Sequence, residues 1–350
     1  MKLRIEKTFP DSRLLWTDGN RTLAARGNRL LSVDALGCAR ELGTVGAFWE
    51  RTGARVRVVR HFLRLGVHHL FPLGDGAFLV VLRRRAYRVD ASGRVESCFK
   101  FPRGNKPAAK GVCVDPNGNV FVAEYALNGD RALPAMLHRS RDGGRTFEIV
   151  HEFRPGEVRH YHFVQWDPYG RCLWMGTGDA DAECQLFTSS DAGDSWSRIG
   201  GGSQLWRAVG VAFRPDAVYW GTDAGSDAGS HPNYIMRLDR RTGRLEHVLE
   251  VQGPCHGTAA LRDGTLVVST GVEGGTNEKD GRAHLWASAD GTTWHELMSF
   301  AKDGWPEIVQ FGIIRFPIGV ENCAELPFTC MGLRGAAETA FIATLERGAR

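Results

Sequence analysis

The sequence has no long apolar run. No segment of the 350 residues approaches the roughly 20 consecutive apolar residues that a membrane helix needs, so no membrane partner is expected. The opening stretch MKLRIEKTFPDSRLLW places a charge every few residues where a secretion signal would be apolar, and the cytoplasm is the expected location. CxxC pairs are also missing: the eight cysteines are scattered and read as reduced thiols that mostly fill the core. Basic runs stop at Arg83–Arg85 and the net charge is only +4, which excludes nucleic acid as the expected partner but is compatible with an acidic ligand. The glycine-bearing strings GDADAEC and GVEGGTN have no strand-to-helix context and so do not form a phosphate cradle. Glycine and tryptophan, by contrast, are plentiful at 43 and 10 residues, in a chain 43% hydrophobic and 24% charged. That balance describes a globular, turn-rich β protein.

Three turns share one spelling. SRDGGRTFEIV, SSDAGDSWSRIG and SADGTTWHELM each run hydroxyl, any residue, Asp, and then through a Gly and a hydroxyl to an aromatic, the third being one residue shorter. Asp142, Asp191 and Asp290 should each close a strand and accept backbone N–H groups of a hairpin turn, with glycine supplying positive φ. Phe147, Trp196 and Trp294 should then open the next strand facing the core. Weaker copies surround Asp34, Asp90 and Asp239, so the unit recurs about every 50 residues, the period of a stacked-sheet repeat. Before its Asp each unit carries two apolar runs joined by a tight turn, as in GVCVDPNGNVFVAEY and GTAALRDGTLVVSTGVE.

Four strands per unit, repeated around an axis, make an all-β propeller of four-stranded antiparallel blades. The chain reads as a single propeller domain over residues 1–350 with seven blades, six being the alternative if the irregular first unit is misread. The last unit runs out after three strands. KLRIEKTF at the N-terminus has the character of a fourth strand and is expected to complete that blade.

The quoted turns resemble Asp-box (BNR) repeats, and the chain is therefore similar to the sialidase-type Asp-box propeller superfamily. The resemblance implies a propeller whose box turns lie at the outer edge of one face, far from any active site. It also implies, for a true sialidase, an arginine triad with an early Phe-Arg-Ile-Pro element. The nearest strings here, FRPG from Phe153 and FRPD from Phe213, fall mid-chain, and the chain looks closer to polysaccharide lyases built on such propellers.

If the box turns join third and fourth strands on one face, the second-to-third-strand loops and the inter-blade links meet on the other. Those segments carry His160, His162, Gln204, Trp206, Arg207, His256, His68, His69, Lys106 and Lys110 in the links, with Glu124, Tyr125, Asp179, Asp223 and Glu273 in the loops. His160 and His162 alternate about Tyr161 at the head of an inner strand, so the two imidazoles share a face. Bland roles exist for each: channel lining for the histidines, strand-end capping for Asp179 and Asp223, internal stacking for Arg207 beside Trp206.

Two classes of function fit this mouth. One is a carbohydrate-active enzyme on an acidic oligosaccharide, with β-elimination ahead of hydrolysis. Arg207 would neutralise the substrate carboxylate, His160 or His162 would remove the neighbouring proton, and Tyr125 would protonate the departing oxygen. Trp206, Gln204, His256, Glu124 and Glu273 would line the substrate, and hydrolysis would instead use Asp179 with Asp223 or a Tyr125 nucleophile. The other class is a propeller that binds a glycan or protein without chemistry. No cofactor is certain from sequence. A divalent metal is the one these ligands suit, its third ligand being His256 or Asp179.

Overall fold

The computed structural model describes residues 1–101 and 106–347; 102–105 and 348–350 lie outside the described set. Twenty-eight strands assemble into seven antiparallel units of four. Blade 4 shows the pattern. His160–Asp167 is the inner strand, followed outward by Cys172–Gly178, Gln185–Ser189 and Ser197–Gly201. Blades 1, 2 and 3 start at the inner strands Arg13–Thr17, His69–Pro72 and Val112–Val114, and blades 5 and 6 at Ala212–Phe213 and Cys255–Ala260. Blade 7 is Gly312–Arg315, Leu326–Met331 and Thr339–Glu346, completed on its outer edge by the N-terminal Lys2–Pro10, which pairs antiparallel with Thr339–Glu346. The seven-blade count and the closure by the first strand are thus both found, and the six-blade alternative falls.

The ring is held by apolar clusters that each bridge consecutive blades. Leu23 meets Val80 between blades 1 and 2, Leu79 meets Val120 between 2 and 3, and Phe121 meets Met175 between 3 and 4. Phe163 meets Trp220, Tyr219 meets Leu266, and Val267 meets Phe328 across the next three joints. Leu14 with Ile342 closes the circle between blades 1 and 7. Each strand face therefore buries its alternate apolar residues against a neighbouring sheet, and no blade has a core of its own. Blades 6 and 7 are tied further by backbone pairing of Gly271 with Ile313 and Val272 with Gly312.

The third-to-fourth-strand turns behave as their sequences require. Asp142 accepts from the N–H groups of Arg145 and Thr146, Asp191 from Ser195, and Asp290 from Thr292 and Thr293. Asp34, Asp90 and Asp239 do the same at the degenerate copies, taking N–H groups of Cys38, Arg94 and Thr242. Phe147, Trp196 and Trp294 then pack on inter-blade clusters. The link between blades 1 and 2, RTGARVRVVRHF in part, forms two short helices, Phe48–Gly53 and Arg57–Phe62. No helix among the described residues is long and apolar enough to cross a membrane.

Candidate active site

Two histidines reach the axis through the same local device. In blade 4 the inner strand slips register between Tyr161 and Phe163, so His162 is the bulged residue; in blade 6 the slip between Cys255 and Gly257 leaves His256 bulged. The facing strand must then give way to an imidazole. A Cβ on Gly178 would lie 2.4 Å from the His162 ring and one on Gly271 would lie 2.2 Å from the His256 ring, so only glycine fits opposite either bulge. His160, one residue before the slip, stands beside His162 with ring centroids 5.2 Å apart.

Backbone carbonyls fix how these rings present their lone pairs. His160 Nδ1 lies 2.9 Å from the Ala126 carbonyl and His162 Nδ1 lies 3.1 Å from the Ala208 carbonyl. A carbonyl only accepts, so in the neutral ring Nδ1 carries the proton and Nε2 the free lone pair. Both Nε2 atoms face Asp179: His162 at 3.2 Å from Oδ1 and His160 at 3.5 Å from Oδ2. Arg159 donates to Asp179 Oδ2 at 2.7 Å, and Arg207 Nη2 forms an ion pair with Oδ1 at 3.1 Å. Burial alone would raise the Asp179 pKa, but the hydrogen bonds and charge of the two histidines hold it far below the carboxylate range. Burial, opposed by Asp179, lowers that of His162.

A second trio stands next to the first. Asp223, His256 and Glu273 place their ligand atoms within 4.8 Å of one another, as His160, His162 and Asp179 do. His256 Nε2 is 2.9 Å from Glu273 Oε1 yet outside hydrogen-bond alignment, and Asp223 Oδ1 is buried without a hydrogen-bond partner. Burial pushes Asp223 up to about 7, helped by Glu273 and Asp179 and opposed by Arg207 and His256. Burial also pulls on His256 from the other direction, but Glu273 and Asp223 outweigh it and raise its pKa. Arg207 separates the trios. Its N–H groups go to the Asp179 carbonyl at 3.1 Å, Gln204 Oε1 at 3.4 Å and Asp227 at 2.9 and 3.3 Å, while Nε sits 3.8 Å from Asp223.

The two trios differ in charge. Asp179 is already neutralised by two arginines, whereas Asp223 and Glu273 have one shared arginine 3.8 Å off and a histidine. Unmet negative charge, an orphaned carboxylate oxygen and an unaligned imidazole nitrogen are what a divalent cation would satisfy, so Asp223, His256 and Glu273 fit a metal better than the first trio.

Of the residues expected at the mouth, His160, His162, Asp179, Arg207, Asp223, His256, Glu273 and Gln204 form this one network. Tyr125 joins it by stacking on His160, centroids 3.9 Å apart, with 39% of its surface open. Burial of the phenol group and the charges of Asp179, Asp223 and Glu273 raise its pKa, which keeps it protonated. Glu124 instead turns inward to His138 at 3.2 Å, and Trp206 stacks on Trp220 between blades 4 and 5, centroids 5.7 Å apart. Arg159, next to His160, and Asp227, four residues after Asp223, complete the network. Arg315 was missed: its signal is a lone charge in the apolar inner strand GIIRFPIG. The large surface groove of 650 Å³ lined by Arg29, Glu41 and Phe48 lies elsewhere, beside the helical link.

These features define a class: a seven-bladed propeller whose axial mouth joins two His/carboxylate trios through one arginine. No protein-family model matches the chain, and no curated protein matches it either. Solved structures do. A catalytically inactive virginiamycin B lyase from Staphylococcus aureus with quinupristin is 14% identical, with 99% of each chain covered and a TM-score of 0.59. Oligogalacturonate lyase from Vibrio parahaemolyticus is 14% identical over 100% of this chain and 99% of that one, TM-score 0.58. An oligogalacturonate lyase in complex with manganese is 13% identical over 99% and 97%, TM-score 0.59. At such identities the similarity establishes the propeller fold.

Proposed function

We propose that this chain is a metal-assisted lyase that cleaves an acidic oligosaccharide by β-elimination at the axial mouth. The observation that carries the reading is the pairing of a cation-deficient trio, Asp223, His256 and Glu273, with a neighbouring trio whose imidazoles are oriented by the Ala126 and Ala208 carbonyls and whose His160 Nε2 has no hydrogen-bond partner. Asp223, His256 and Glu273 would hold a divalent ion, which when bound would supply an electrophile for the substrate carboxylate and so make the adjacent C–H more acidic. His160 Nε2 takes that proton, and ionised Asp179 stabilises the imidazolium formed. The electron pair of the broken C–H bond becomes the new C=C bond as the C–O bond breaks. Tyr125, held protonated over His160, gives its proton to the departing oxygen.

Arg207 has a different part from the one its sequence position suggested. Its N–H groups are committed to Asp179, Asp227 and Gln204, so it sets the field between the trios and does not clamp the ligand. The same commitment disfavours hydrolysis, because Asp179, engaged by two arginines and two histidines, is a poor nucleophile or base. The hydrogen-bonded Asp-box turns are what the sialidase resemblance rests on, but Arg159 and Arg207 converge on a protein carboxylate and not on a ligand position, which speaks against sialidase chemistry. Acidic-sugar chemistry in the manganese-bound oligogalacturonate lyase of like fold supports the substrate class. Eight free thiols support a cytoplasmic setting, where the ligand would be of oligosaccharide size.

The test is ultraviolet absorption of unsaturated uronate released from oligouronates. Wild-type protein with manganese should generate it, and His160→Ala and Tyr125→Phe should each slow it by about 100-fold or more. Binding of the same oligosaccharides without product in all three proteins would favour the non-catalytic glycan-binding reading.

A further inference from the structure

Beside the acidic trios stand cations that have no ion-pair partner among the described residues. Lys106 lies in the link from blade 2 to blade 3, and Arg315 ends the described inner strand of blade 7. No carboxylate among the described residues forms an ion pair with either. His69, at the head of the blade 2 inner strand, donates its Nε2–H to the Ala108 carbonyl, 2.8 Å away, and so marks the edge of this wall as a neutral ring, while Arg315 Nε is buried and unpartnered. The charges surrounding Lys106 are Arg315, Arg13 and Arg64, all of its own sign. Arg13 is itself paired with Glu338, Nε to Oε2 2.9 Å. Burial together with those neighbours lowers the pKa of Lys106, and burial with Arg13 brings Arg315 to about 10 against the opposing pull of Tyr125 and Glu338.

Tyr125 ties the two walls together. Its phenol feels Asp179, Asp223 and Glu273 on one side, and Arg315 feels it on the other. A ligand lying across the Tyr125 ring would therefore have one end at the acidic trios and the other at unpaired cations.

We propose that Lys106 and Arg315 form a carboxylate-binding subsite, so that the ligand carries at least two acidic units: one at the Asp223 trio and the next on this cationic wall. This deepens the lyase reading and rests on it for the identity of the sugar, but the anion site itself can be tested alone. Lys and Arg side chains desolvated without a partner cost stability that a bound carboxylate returns through charge-assisted hydrogen bonds.

The experiment measures the thermal unfolding midpoint of the full chain against sodium acetate, with ionic strength held constant by sodium chloride, for wild type, Lys106→Met, Arg315→Gln and Asp223→Asn. Acetate should raise the midpoint of wild type and Asp223→Asn. Lys106→Met should start higher than wild type in the absence of acetate and lose most of the acetate response, and Arg315→Gln should lose it too. An acetate response equal in all four proteins, or absent from wild type, overturns the subsite. A second titration uses a galacturonate dimer and its uncharged methyl ester. Wild type should bind the acid about ten-fold or more tightly than the ester, and Lys106→Met should remove that preference. If acetate acts as stated but the dimer fails to bind, the subsite stands and the acidic-saccharide reading fails.

Discussion

Asp179 shows how single residues at the mouth depend on their neighbours. Two arginines and two histidines converge on one carboxylate, so its role is to hold the imidazoles and receive their positive charge. The glycines opposite the bulged histidines are equally specific. Gly178→Ala would drive a methyl group into the His162 ring, while Gly118, with open space around its Cβ, has no such neighbour. Gly178→Ala should therefore displace His162, reduce turnover by about 10-fold or more, and cost about 1–3 kcal/mol in denaturant unfolding through local overpacking. Unchanged turnover and stability would mean the bulge is not held as described. Sequence alone found His160, His162 and Asp179 through their places at strand heads and loop starts. It could not find the bulge, because a register slip depends on both strands, nor could it tell that Arg207 would spend its donors internally, since Asp227 comes near only after folding.

At the scale of the element, the repeated hairpin was the most legible feature, because its determinants all lie within about ten residues. The box aspartates are tied to their own turns, and their titration is a stability statement. Hydrogen bonds from Ser195 and Ser189 lower the Asp191 pKa from 3.8 to about 2. A folded-state pKa below the unfolded value gives stability that is fully present above about 4 and disappears as pH falls through about 2. Asp191→Asn should accordingly lower the thermal midpoint at pH 7 and have little further effect near pH 2, as followed by circular dichroism across that range. An equal loss at both pH values would show that the charge of Asp191 is irrelevant to the turn. The helical link between blades 1 and 2 was not legible in this way, being too short and irregular to show a helical period.

The whole molecule closes through its two ends. Lys2–Pro10 supplies the outer strand of blade 7, and without it Thr339–Glu346 would present an open edge. Removing residues 2–10 should lower the unfolding midpoint and promote association visible in size-exclusion chromatography; a monomer of unchanged midpoint would show that closure by the first strand is dispensable. The period of the boxes announced the ring, and the ring is what carries Asp223, His256 and Glu273 from separate segments to one place. Which of the two trios better suits a metal was not readable from spacing, because it turns on the charge balance around Arg159 and Arg207. Equilibrium manganese binding tests that division of labour most directly. Wild type and His160→Ala should each bind one ion per chain while Asp223→Asn binds none; retention of the ion by Asp223→Asn together with its loss from His160→Ala would contradict the assignment.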